Sequence, residues 1–347
     1  MKKQAILLGV PKVEYGADGI TPFPRCLKAC ADYLGLDVGC DYCMAASGAA
    51  FRLTWDSTGW NPGNVDVIHS FDDPSAVYWQ GLAALGCEYR LLGRTPKMKK
   101  AEFVSFIRES IDAGYPCIAL GIIGPPEACI ITGYRDNGNT LLGWNFFQDN
   151  PEFARKLKFD ESGYFITDDW WKNPETKAVM ALTKGGAARP APKMILQNAM
   201  TVLTGRQCGQ YAKGIHAYDA WAAAILNDSE FPPNAMLAIL AERLMTHGDA
   251  QDCLMDGRHS AASWLKSLIP AYPAQEAQLT EAAALFTQVF ESAQQMNEVL
   301  GGWQRDENAM RRLADPEARK QLAVLILKAK AADERALELL KKLAELL

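Results

Sequence analysis

Histidine is scarce in this chain: four occur in 347 residues, at His69, His216, His247 and His259. Histidine-dependent chemistry therefore has few places to reside. Basic charge is short as well. Thirty-six Lys and Arg face 41 Asp and Glu, a net charge of -5 with a pI near 5.5, so no basic field points to nucleic acid or to an anionic membrane. Long apolar runs are missing. The opening Met-Lys-Lys-Gln-Ala-Ile-Leu-Leu-Gly-Val is interrupted by Pro11 and Glu14, too short for the apolar region of a signal peptide and far too short to span a bilayer. It reads as a first strand, and the chain as a soluble, cytoplasmic protein. There is no G-x-G-x-x-G after a strand, no Walker loop, no H-E-x-x-H and no G-x-S-x-G, which removes the usual support for nucleotide-dependent, zinc-protease and serine-hydrolase chemistry. No cofactor and no metal are expected.

Cysteine, by contrast, is plentiful: nine residues, at 26, 30, 40, 43, 87, 117, 129, 208 and 253. An odd number without a secretion signal argues for reduced thiols. Cys40 and Cys43 form a C-x-x-C that, with Cys26 and Cys30, invites a zinc reading. Against it, Cys26 and Cys30 sit in an apolar helical pattern and no Gly-rich knuckle flanks either pair.

The most informative stretch is Pro22-Phe-Pro-Arg-Cys26-Leu-Lys-Ala-Cys30-Ala-Asp-Tyr-Leu-Gly35. Leu27, Ala31 and Leu34 recur at helical spacing until Gly35 stops them, which places Cys26 in the first turn of a buried helix. Free backbone N–H groups and the helix dipole favour a thiolate there; a buried structural thiol is the plainer alternative. Ser47 and Gly48 then form a tight turn among small residues, and Phe51, Leu53 and Trp55 alternate as in a strand. A helix over Pro74–Leu85, a strand at Tyr89–Leu92 and a helix over Lys99–Ala113 are followed by strands at Pro116–Ile122, Ala128–Tyr134, Thr140–Phe147, Tyr164–Ile166 and Ala178–Leu182. Gly185-Gly-Ala-Ala-Arg-Pro-Ala-Pro-Lys193 reads as a linker. Beyond it nearly everything reads as helix: Met194–Leu203, His216–Leu226, Pro233–Thr246, Ser260–Ile269, Gln275–Leu300 and Asn308–Leu347 with a break near Pro316. In the last helix Leu322, Leu325, Leu327, Ala331, Leu337, Leu340 and Leu343 describe a core-facing stripe, with the charges between them as a solvated face. The expectation is an α+β fold, residues 1–185 forming a domain of helices and antiparallel sheet and 186–347 an all-α helical bundle.

A helix-borne cysteine followed about a hundred residues later by paired antiparallel strands is the order of a papain-type cysteine enzyme, in which a histidine opens one strand and an Asn or Asp on the next orients it. The run Pro125-Pro-Glu127-Ala-Cys-Ile-Ile-Thr-Gly-Tyr134, followed by Leu141-Leu-Gly-Trp-Asn145, has that register. It resembles the His-x5-Gly-Tyr strand of papain and of the bacteriocin-processing peptidases of the same clan. More closely, Arg-Cys-Leu-Lys-Ala-Cys, Ser-Gly-Ala-Ala-Phe and Glu-Ala-Cys-Ile-Ile-Thr-Gly-Tyr look like the butirosin-biosynthesis protein H N-terminal family. The resemblance covers roughly residues 10–180. It implies a papain-like domain, acyl transfer from a carrier-protein thioester to an aminoglycoside amine, Cys26 as nucleophile and Asn145 as orienting residue.

At the histidine position stands Glu127. A carboxylic acid with a pKa near 4.3 is a poor base for a thiol near 8.5, and an ionised carboxylate raises the thiol's pKa. Three readings stay open. A histidine from elsewhere could serve: His216, beside glycines, aromatics and Asp219, is the better candidate and His259, in what reads as a helix N-terminus, the weaker; nothing around His69 or His247 suggests a site. Alternatively Cys26, Glu127 and Asn145 form a modified site in which Glu127 deprotonates a substrate amine. Or catalysis is lost and the scaffold binds a small molecule. Ser47, Gly48, Phe51 and Trp144 are the candidates for contacting substrate, and Trp55, Trp60, Tyr134, Phe146 and Phe147 would line a pocket or make ordinary core. The favoured expectation is cysteine-dependent acyl or amide chemistry on a small-molecule amine or amide. The C-terminal helices could also join a second copy of the chain.

Overall fold

The computed structural model describes residues 2–16, 19–155, 157–183, 185–186 and 188–347. Met1 of the expected first strand and Ala187 of the expected linker lie outside the described residues. In chain order the elements are β1 (Ala5–Ile6), α1 (Pro22–Tyr33), α2 (Cys40–Ala46), β2 (Thr54–Asp56), α3 (Ala76–Ala84), β3 (Glu88–Gly93), α4 (Lys100–Asp112), β4 (Cys117–Leu120), β5 (Ala128–Arg135), β6 (Thr140–Trp144), α5 (Pro151–Ala154), β7 (Lys158–Phe159), β8 (Phe165–Thr167) and β9 (Ala178–Thr183). Then come α6 (Pro192–Thr204), β10 (Gln207–Cys208), β11 (Tyr211–Lys213), α7 (Gly214–Leu226), α8 (Leu237–Leu268), α9 (Glu276–Leu300), α10 (Glu307–Ala314) and α11 (Pro316–Leu346). The fold is α+β: sheet-forming strands in the first half, helices in the second.

The chain divides into two compact units, but not at the expected single boundary. One unit comprises residues 1–43 and 81–190, the other 44–80 and 191–347. The physical reason is strand pairing: β2 pairs with β11, Trp55 opposite Ala212, so residues 44–80 close with the helical part.

In the first unit the strands run antiparallel in the order β3-β9-β4-β5-β6-β8-β7, with β1 also on β5. Helix α4 opens with the Glu102 side chain reaching back to the N-cap, the Lys99 N–H donating to Glu102 Oε1 at 2.9 Å. Its Phe103, Ile107 and Ile111 recur at helical spacing and pack on Cys117, Ile131, Val179 and Ala181 of the sheet. Helix α1 lies against β5.

In the second unit α11 runs along α9, α7 and α6, and α8 along α9. The indole of Trp55 stacks on Trp221 at 5.7 Å and meets Trp60 edge-on at 5.2 Å. Two expectations are corrected. The helices expected at Pro233–Thr246 and Ser260–Ile269 are one, α8, and His259 lies deep within it rather than at an N-terminus. In α11 Leu322, Leu337, Leu340 and Leu343 are buried as expected, but Leu327 and Ala331 are exposed. The buried face runs instead through Ile326, Ala329 and Asp333, a true 3.6-residue stripe that carries a carboxylate inward.

Candidate functional site

Three of the four residues expected to do chemistry come from the first unit. Pro22 and Pro24 open α1 after Thr21, and Arg25 N–H already reaches back to Thr21 O at 3.4 Å. Cys26 is the fifth helical residue, beyond the turn whose amides are free, so the expected first-turn thiolate setting is absent. The side chain is 0% exposed. Burial pushes its pKa well above the ordinary thiol value, the neighbouring Cys129, Cys30 and Glu127 push it further, and Arg25 only weakly opposes them. At neutral pH Cys26 is a thiol.

Glu127 directly precedes β5, where its carbonyl accepts from Gly121 N–H at 3.0 Å, and its half-buried side chain acts on the Cys26 thiol. Glu127 lies within electrostatic range of Cys26 and raises the thiol's pKa, the like-charge effect expected of a carboxylate near a thiol. Asn145 follows β6 and is 1% exposed. Its Oδ1 accepts from Phe147 N–H at 2.8 Å and its Nδ2 donates to Ile123 O at 3.4 Å, while its side chain also bonds the Cys129 thiol. Those bonds hold the amide to its own turn and to Cys129 rather than to Glu127. Trp144 is fixed by Nε1–H donating to Val10 O at 2.8 Å and by the edge of Tyr164.

The remaining candidates belong to the second unit. His216 is exposed in the first turn of α7. Ser47 is fully buried, its hydroxyl donating to Met44 O at 3.2 Å. Gly48 has a φ of 84°, and a Cβ there would lie 2.8 Å from the Phe71 ring, so close packing and a left-handed backbone both require glycine. Phe51 is buried against Trp264 and Phe286. Ser47, Gly48 and Phe51 are therefore interior to their unit. Of the aromatics, Tyr134 and Phe146 are core of the first unit, Trp55 and Trp60 core of the second.

The grouping that the sequence did not disclose is around His69. Its ring stacks on Tyr211 at 4.1 Å. Burial lowers its pKa, the Asp66 carboxylate opposes that shift, and Lys213 adds to it. Asp66, three residues earlier and accepting from Ile68 N–H at 3.1 Å, was the legible clue; Tyr211 and Lys213 are remote in sequence. Among the described residues no group of three or more His, Cys, Asp or Glu side chains is arranged to hold a metal ion, and no helix is long and apolar enough to cross a membrane.

No protein-family model and no curated protein matches this sequence.

Proposed function

We propose that the protein is a small-molecule-binding member of the cysteine-enzyme architecture in which the nucleophile position is chemically silent. The observation that carries this reading is the Cys26 thiol, fully buried, its pKa raised by that burial and raised further by the charge of Glu127. Moving a proton from a thiol to a carboxylate at their ordinary pKa values costs about 6 kcal/mol, and burial of Cys26 adds to that. Such a pair does not generate a standing thiolate. Alkylation by iodoacetamide followed by peptide mapping tests the reading: Cys26 should label no faster than the buried Cys87 and Cys253. Preferential labelling of Cys26 would overturn it.

The electrostatic coupling of Glu127 to Cys26 favours a second reading, acyl transfer from a thioester to an amine. There Glu127 takes the proton of the attacking amine, an easier task than activating the thiol. Incubation with a simple acyl thioester and intact-mass analysis separates the two. An acyl adduct on the native protein that vanishes in Cys26→Ala supports transfer; no adduct supports binding alone.

A further inference from the structure

Along α4 the first unit carries a groove of about 590 Å3 with an aliphatic floor of Ala101 and Val104, the size and character of a small-molecule site. Its walls hold two cations, Lys100 and Arg108, with no carboxylate at ion-pair distance among the described residues. Lys100 Nζ donates to Asn139 Oδ1 at 3.2 Å and lies 5.2 Å over the Trp170 ring. Arg108 is 8% exposed. Its Nη groups donate to the carbonyls of Asn137 (3.4 Å) and Lys2 (2.9 Å), its guanidinium lies 5.3 Å over Tyr134, and its Nε is buried without a partner. A buried cation usually ends on an anion. Here ring faces and carbonyls stand in, leaving the charge of both side chains unneutralised at contact.

The two carboxylates on the groove are already engaged. Asp112 Oδ1 accepts from the Tyr134 hydroxyl at 2.7 Å, and Glu109 accepts from Ser105 Oγ at 3.1 Å and pairs with Arg90 at 3.4 Å. The loop opposite is pressed onto the helix: Asp136, Asn137 and Gly138 all have positive φ, and a Cβ on Gly138 would lie 2.5 Å from Val104. That conformation delivers Asn137 O to Arg108 and Asn139 to Lys100.

We propose that this groove binds a small carboxylate between the Lys100 ammonium and the Arg108 guanidinium, with the bound molecule's aliphatic part on Ala101 and Val104. The aliphatic floor sets the preference over inorganic phosphate, which has no apolar part to lay on Ala101 and Val104. The site is independent of the reading given to Cys26.

Isothermal titration and thermal unfolding of the full chain test it, with butyrate as probe and butyramide, chloride and inorganic phosphate as controls at matched ionic strength. Butyrate should bind and raise the unfolding temperature while butyramide and chloride do neither and phosphate binds more weakly. Lys100→Met and, separately, Asn139→Ala should fold normally, and Lys100→Met should bind butyrate roughly tenfold more weakly through loss of a charge-assisted contact. Equal binding of butyrate by Lys100→Met, or phosphate binding as tight as butyrate, would overturn the proposal.

Discussion

Arg258 and Asp333 form an ion pair in the interior of the second unit, Nη2 to Oδ2 at 2.6 Å, with neither side chain exposed. The Tyr218 hydroxyl donates to the same carboxylate at 2.7 Å, and Arg258 Nη1 donates to the carbonyls of Ala50 (2.8 Å) and Arg52 (3.2 Å). One charge pair therefore joins α8, α11, α7 and the chain just before β2.

Removing one partner strands the other charge. Asp333→Ala should lower unfolding free energy by about 3–5 kcal/mol, measured by urea denaturation. The double variant Arg258→Met with Asp333→Leu should lose less than the sum of the two single losses, because no unpaired charge is left behind.

Replacing Glu127 by His should activate Cys26. Glu127 is one of the groups that raise the thiol's pKa, and an imidazole beside a thiol lowers it. In Glu127→His, alkylation of Cys26 at pH 7.5 should quicken several-fold over the native protein, and the unfolding temperature reports whether the exchange is tolerated. An unchanged rate would show that burial alone governs the thiol.

Alkali should destabilise the fold steeply. Burial pushes Cys117 and Cys129 up to about 12 and Cys253 to about 11, and raises Cys26, Cys30 and Cys43 as well, from an ordinary 9.0. The folded thiols keep protons that the unfolded chain releases, so stability is full below pH 9 and falls as pH climbs toward 12, by up to about 1.4 kcal/mol per pH unit for each thiol. Urea midpoints at pH 8, 9 and 10 under reducing conditions give the slope.

Acid acts through opposed groups in α8, His247 on one side and Asp249 and Asp252, both raised by burial, on the other. His247 is fully buried, accepts from Trp221 Nε1–H at 3.1 Å, and burial lowers its pKa to about 3. From its ordinary 6.5 downward the unfolded chain gains a proton first, so this histidine lowers stability as pH falls. Asp252 is raised by burial to about 6, with Arg305 opposing. Its folded form gains the proton first, which raises stability as pH falls from 6 toward 4. The slopes offset each other between pH 6 and 4, and Asp252→Asn should make urea midpoints at pH 6, 5 and 4 fall more steeply than in the native protein, with Asp249 still opposing the histidine in part.

Local patterns were readable wherever the decisive contacts are near in sequence. The β5–β6 pair, the amphipathic α4 and the break before Pro316 all follow from spacing and punctuation within a few residues. Remote contacts were not readable. Residues 44–80 carry no mark that β2 must find β11, and Asp333 looks like any other charge on a helix until Arg258 is placed beside it. Helix α8 runs unbroken through Gly248 and Gly257, which stand inside it for reasons outside it. A Cβ on Gly248 would lie 2.8 Å from the Arg305 guanidinium, and one on Gly257 2.7 Å from Ala50 O. At the candidate site, register suggested Glu127 as a neighbour of Cys26, and the two do influence one another electrostatically, while the depth of the thiol in α1 depended on which residue capped the helix.

The chain leaves one unit for the other after Cys43, returns after Gln80 and leaves again after Pro190. A ribosome therefore delivers the parts out of order. The sheet that holds Glu127 can close once β9 has emerged, whereas β2, made much earlier, must wait for β11. No single protease cut or gene breakpoint separates the halves cleanly, since a break near residue 190 leaves residues 44–80 without the strand they pair with. The two units are thus synthesised, and inherited, as one object.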